Sequence, residues 1–158
     1  VKLLVYGHWS DTGFGIVTRE LASRFVAAGV DVRILAMNHR GEPVEGPLAG
    51  RVYPLEFLAQ KVADIAAVGI AGGLWRTLGS PWKPDAVLAV SDMSGLLGYV
   101  GQSVEMWSTL PVYHYCPVEG DNLAPLWAKV WEFVRPVAMS HYGARVISEL
   151  IGRDVPMI

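Results

Sequence analysis

Short apolar runs alternate with longer stretches of helical spacing along almost the whole chain. Leu3 to Tyr6 is a brief apolar run stopped by Gly7, which predicts a buried strand. From Ile16 to Ala28 the apolar positions Ile16, Val17, Leu21, Phe25 and Val26 fall largely on one helical face, and Gly29 stands where a C-cap glycine belongs. Val32 to Met37 predicts a second strand, 38–50 a loop punctuated by Pro43 and Pro47, and Arg51 to Tyr53 a short strand. A helical pattern runs from Phe57 to Leu78, broken at Gly72-Gly73 and ended before Pro81 and Pro84. Asp85 to Val90 predicts another buried strand, and Ser94 to Trp107 a helix weakened by Gly95, Gly98 and Gly101. Val112 to Cys116 reads as a strand, Pro117 to Asn122 as a loop, and Pro125 to Val134 as a helix with Trp127 and Trp131 in i,i+4 register. The tryptophans are expected in the core or at an interface rather than as a sugar platform. Val137 to Ser140 is the sixth predicted strand, Tyr142 to Ile151 a helix, and Val155 to Ile158 the start of one more strand. Strands alternating with helices through short connections predict an α/β fold: one Rossmann-like domain over 1–158, a doubly wound parallel sheet with helices on both faces.

Composition narrows the classes. Hydrophobic residues make up 52% of the 158 and charged residues 18%, which excludes a disordered chain. The net charge of −2 offers no basic surface, so no nucleic-acid partner is expected. Cys116 is the one cysteine; a disulfide framework and a cysteine-rich metal site are both excluded, and a reducing cytoplasm is the expected setting. The chain opens on a strand pattern without a cleavage region, so no signal peptide is read. The most apolar stretch, Val62 to Leu74, is interrupted or flanked by Lys61, Asp64 and Arg76. It is too short for a membrane span, and a packed helix is expected there, with membrane contact the lesser alternative.

In an open parallel sheet, ligands sit outside the carboxyl ends of the strands. His8, Ser10 and Asp11 follow the first predicted strand, Asn38, His39 and Arg40 the second, and Ser91 and Asp92 the "DAVLAV" strand. Glu119, Asp121 and Asn122 follow the strand holding His114, and Ser140 and His141 follow the sixth. Such an edge suits a carbohydrate or nucleotide. The competing role for Asp92, Ser94 and Ser140 is helix capping. The four histidines lack the short helical spacing of a zinc motif, so neither a metal nor a cofactor is expected. In "SDTGFGIVTRE", Gly13 and Gly15 precede the first helix, where bare backbone can approach an anion near the helix amino end. A dinucleotide fingerprint needs a third glycine where Thr18 stands, and an acid where Asn38, His39 and Arg40 stand. An NAD enzyme is thereby disfavoured, an NADP enzyme using Arg40 remains a minor alternative, and the Walker pattern is absent.

"GHWSDTGFGIVTRELASRFVAAGVDVRILAMNHRGEP" resembles the opening of retaining, family-4 glycosyltransferases of the GT-B type. "PDAVLAVSDMSGLLGYV", "PVYHYCPVEGD" and "VAMSHYGARVISELIGRDVPMI" resemble, in order, their fourth-strand segment, a segment reading Tyr-x-Pro-Val-Asp-Gly in one branch, and the segment before the crossover to a second domain. The resemblance spans nearly the whole chain. It implies an amino-terminal, acceptor-side domain, with the donor-binding domain following beyond Ile158. It further implies sugar transfer from a nucleotide sugar to a carbohydrate or other hydroxyl-bearing acceptor, with retention and without metal. On that reading Gly13, Phe14 and Gly15 form the donor-contacting loop, and His8, Asp92, Glu119 and His141 bind the acceptor. Departures are visible. Many members end the strand matching Val112 to Cys116 with a histidine; Pro117 occupies that place here, His114 comes three residues earlier, and the role is not carried to it. Glu119 stands where the branch has Asp. The alternative reading from another class is a non-catalytic α/β binding domain.

Overall fold

A computed structural model describes residues 1–54, 82–93, 96 and 110–158 of the chain. Six parallel strands form one sheet: β1 (Lys2–His8), β2 (Asp31–Met37), β3 (Val52–Pro54), β4 (Ala86–Val90), β5 (Val112–Cys116) and β6 (Arg135–Ala138). Their order across the sheet is β3-β2-β1-β4-β5-β6. The chain winds one way from β1 to β3, returns to the other side of β1, and winds outward to β6. The point of reversal lies between β1 and β4, where such a sheet opens a crevice at its carboxyl edge. The chain is therefore an α/β protein with a Rossmann-like parallel sheet.

The apolar runs become strands because parallel strands are covered on both faces. Leu4, Val5, Ile34, Val87 and Val90 have no more than a trace of exposure. Alternation divides them between two cores. Leu3, Val5, Ile34 and Val90 face the helix α1 (Gly13–Ala27), while Leu4, Tyr6, Leu35 and Val87 face α2 (Pro125–Val130) and α3 (His141–Ile151). Trp131 is fully buried and Trp127 packs at the margin of that second core, so both tryptophans are core residues.

Several boundaries differ from the sequence expectation. Helix α1 begins at Gly13, with Thr12 as its N-cap, so the glycine pair lies in the first helical turn rather than in a loop. It ends as expected: Gly29 has φ +80°, Gly29 N–H donates to Val26 O, and Val30 N–H donates to Phe25 O, a Schellman stop. Helix α2 stops at Val130 rather than Val134, because the turn through 131–134 must deliver the chain into β6 at Arg135. β6 begins two residues earlier than predicted and contains Pro136, which an outermost strand tolerates. Val155 to Ile158 forms one parallel bridge, Met157 to Ala138, and not a strand; Pro156 has no N–H to extend the ladder. The predicted Phe57–Leu78 helix and nearly all of the predicted Ser94–Trp107 helix lie outside the described residues. So does the apolar stretch Val62 to Leu74. Among the described residues no helix is long and apolar enough to cross a membrane.

Candidate ligand crevice at the switch point

The first turn of α1 is held by its own sequence. Thr12 Oγ1 accepts from Gly15 N–H at 3.4 Å, and Thr12 O accepts from Ile16 N–H at 2.9 Å. The N–H groups of Gly13 and Phe14 precede the first intrahelical bond, so no helical carbonyl serves them, as at any helix amino end. The two glycines do different jobs. A Cβ on Gly15 would stand 1.8 Å from Ser10 O, a backbone atom that cannot yield, so this glycine exists for packing between helix and loop. A Cβ on Gly13 meets nothing within 4 Å. Neither glycine has a positive φ. The expectation that both leave space for a ligand is corrected for Gly15; at Gly13 the space is open.

Helix and strand are drawn together at a third glycine. A Cβ on Gly7 would meet Thr18 Oγ1 at 2.5 Å. Thr18 is fully buried, and its hydroxyl donates to Phe14 O at 2.8 Å. The dinucleotide fingerprint places its third glycine on the helix; here the small residue is on the strand and the larger one on the helix.

Arg19 fixes the segment between β1 and α1. It follows Gly15 by one helical turn, and helical side chains lean toward the amino end. Its Nη1 donates to Trp9 O at 2.7 Å and reaches Ser10 O at 3.5 Å, its Nη2 pairs with Asp11 at 3.0 Å, and the guanidinium lies 5.8 Å from the Trp9 ring centre. Asp11 is almost fully solvated, so the ion pair is worth about 0–1 kcal/mol. The carbonyl bonds are the stronger restraint. The i+4 spacing from Gly15 is the signal by which sequence reasoning could have found Arg19, and it did not.

The residues expected to bind acceptor follow four neighbouring strands: His8 ends β1, Asp92 follows β4, Glu119 follows β5 and His141 follows β6. At roughly 4.8 Å per strand they span on the order of 14 Å along the carboxyl edge. His8 and Asp92 flank the switch point, while Glu119 and His141 lie toward the β6 side. His8 is half-buried; its ring stacks on Phe14 at 5.7 Å and 26°, and its Nδ1 lies 3.3 Å from Asn38 Nδ2. Asp92 is exposed, and its carbonyl accepts from Leu96 N–H at 3.2 Å, the bond made by an N-cap residue. Burial, and secondarily the Asp92 carboxylate, push the Tyr6 phenol above its ordinary range. Glu119 and His141 are exposed. Their segments touch: Val118 packs against Gly143, and Tyr142 donates to Asp121 at 2.6 Å. Ser140 caps α3 through Gly143 N–H, as the capping alternative predicts.

The histidines do not converge. His39 is buried beside Glu42 at 3.2 Å and tilted against Trp9, and His114 lies in the core behind the edge. Among the described residues no group of three or more His, Cys, Asp or Glu is placed to hold a metal ion. Burial pushes the Cys116 thiol up to about 12, which removes it as a nucleophile near neutral pH. Ser91, at the end of β4, is fully buried, and among the described residues its Oγ has no hydrogen-bond partner.

No protein-family model matches this sequence, and no curated protein matches it.

Proposed function

We propose that this chain is the amino-terminal, acceptor-side domain of a GT-B glycosyltransferase. The enzyme would transfer a sugar from a nucleotide-sugar donor to a hydroxyl-bearing acceptor, with retention and without metal. The observation that carries the reading is the polar edge at the switch point. The strand order reverses between β1 and β4, and the two strands end in His8 and in Ser91-Asp92. The amino end of α1, with the open Gly13, follows the first of them. Together with the resemblance over nearly the whole chain, this suits a crevice whose other wall is a donor-binding domain. Charge developing on a leaving diphosphate would be met by helix amino ends and basic groups, an electrostatic strategy.

The strand order is also that of dinucleotide-binding domains, which favours the NADP reading as a second one. Against it, Gly15 is filled by the Ser10 carbonyl rather than open to a pyrophosphate, and Thr18 stands where the fingerprint has its third glycine. One experiment separates the readings. The 158-residue chain should transfer no sugar and bind neither NADH nor NADPH by calorimetry, while the longer gene product should transfer sugar with the anomer retained by NMR. Micromolar affinity for a nicotinamide cofactor, or sugar transfer by the short chain alone, overturns the proposal.

Asp92 and Glu119 carry the second prediction. Both are solvated carboxylates beyond strand ends, suited to accept hydrogen bonds from acceptor hydroxyls. In the longer enzyme, Asp92→Asn and Glu119→Gln should each raise KM for acceptor about 3- to 10-fold, the worth of about one hydrogen bond, with KM for donor little changed. Asp92 also stands in an N-cap place, and capping alone predicts a loss of about 0.5–2 kcal/mol on replacement by alanine with unaltered kinetics. Acceptor kinetics and melting measured on the same variants decide between the two.

A further inference from the structure

His8 occupies the carboxyl end of β1, the strand on one side of the switch point. Its imidazole is oriented twice. Phe14 stacks on its face, and Phe14 is itself held through its carbonyl by the buried Thr18. Asn38, the first residue after β2, meets its Nδ1 at 3.3 Å through the amide nitrogen Nδ2. Asn38 has φ +63°, alone among the described non-glycine residues in that region of backbone space. Asn and Asp are the side chains that enter this region most readily.

An amide nitrogen only donates, so Nδ1 of His8 must accept. A neutral imidazole that accepts at Nδ1 carries its proton on Nε2. Among the described residues, Nε2 of His8 has no hydrogen-bond partner. We propose that Asn38 is a positioning residue that fixes His8 as the Nε2–H tautomer, presenting one N–H donor to an acceptor hydroxyl oxygen in the crevice. The proposal rests on reading the crevice as the acceptor site, and it adds which nitrogen of His8 does the binding and which residue sets it. His8 in this state orients a hydroxyl and takes no proton from it.

Asn38→Asp is the discriminating variant. It keeps a residue suited to the positive φ while replacing the amide donor with a carboxylate that only accepts. Long-range proton–nitrogen correlation spectra of the labelled chain, at about pH 8 and so above the ordinary imidazole range, report the tautomer directly. Absence of one signal set in His8→Gln assigns it among the four histidines. The native chain should show His8 protonated at Nε2, and Asn38→Asp should move the proton to Nδ1. In the longer enzyme, Asn38→Asp should then raise KM for acceptor about 3- to 10-fold with kcat within about twofold, because one donor to the acceptor is lost. Protonation at Nδ1 in the native chain overturns the proposal. An unmoved proton in Asn38→Asp, or a moved proton with unchanged KM, overturns it equally. If the longer enzyme transfers no sugar, the acceptor-site reading fails by itself, and with it the ligand role, whatever the tautomer.

Discussion

Gly15→Val should lower the melting temperature of this chain by about 10 °C, whereas Gly13→Val should leave it nearly unchanged. The two glycines are separated by one residue and look equivalent in the sequence. Their surroundings are opposite. At Gly15 a Cβ would overlap Ser10 O at 1.8 Å and its carbon at 2.9 Å. Neither atom can move alone. Ser10 O also takes Thr12 N–H at 2.8 Å and lies within reach of Arg19, so relief would require the whole segment between β1 and α1 to swing away. Overpacking of this kind costs about 3 kcal/mol or somewhat more, a large share of the roughly 5–15 kcal/mol that stabilises a domain. Gly13 has open space and a φ that other residues share, so restricting it affects chiefly the unfolded chain. Thermal melting of both variants checks this, and a Gly15→Val chain that melts within about 2 °C of the native one would sink the packing argument. The contrast also isolates function. On the proposed reading, in which a donor approaches the first turn of α1, Gly13→Val should lower turnover of the proposed two-domain enzyme while keeping its stability.

The sheet was legible because parallel strands buried on both faces leave continuous apolar runs bounded by glycine, proline and polar residues. Leu3 to Tyr6, Val32 to Met37, Asp85 to Val90 and Val112 to Cys116 each fall within a residue or two of an observed strand. β6 was displaced because Arg135 and Pro136 carry no apolar signal, and an outermost strand does not need one. The polar carboxyl edge was equally legible, since in this topology the residue after a strand is placed by the strand itself. What could not be read was the direction of a side chain within that edge. His114 and Tyr115 are adjacent in β5, and alternation sends the first into the buried core. Gly13 and Gly15 differ by what the preceding loop does, a contact between chain segments that a glycine's own identity does not encode. Arg19 was missed because its shortest bond goes to a backbone carbonyl, that of Trp9, and backbone carbonyls look alike in every sequence; its i+4 spacing from Gly15 was the signal left unread.

His114 gives the fold a pH dependence of its own. Its ring is fully buried, its Nε2 lies 3.0 Å from Ser91 O, and its Nδ1 lies 3.4 Å from Trp131 Nε1. An indole N–H only donates, so Nδ1 accepts and the proton resides on Nε2, from which it is donated to the Ser91 carbonyl. One neutral ring thus joins β5 to the end of β4 and to the residue closing α2. Burial pushes its pKa down to about 4, against smaller upward effects from the Ser91 carbonyl and from Asp92. In the unfolded chain the ordinary value of 6.5 applies. Between those values the unfolded chain binds a proton that the folded chain refuses, so stability rises with pH across this window. The sign is therefore loss on acidification: no contribution above about pH 6.5, growing destabilisation below it, and saturation near pH 4. A depression of this size corresponds to roughly 3 kcal/mol between the two ends, or about 6–12 °C in melting temperature for a chain of this length. His114→Gln removes the titration while retaining a donor for Ser91 O and an acceptor for the Trp131 indole. At neutral pH it should cost about 1–2 kcal/mol through imperfect geometry. Near pH 4 it should match or exceed the native chain, because only the native chain carries the proton penalty. Denaturant unfolding of both chains at a series of pH values tests this. Parallel stability profiles from about pH 7 to pH 4 would show that His114 is protonated in the fold as readily as outside it, and would remove it as the source of acid sensitivity.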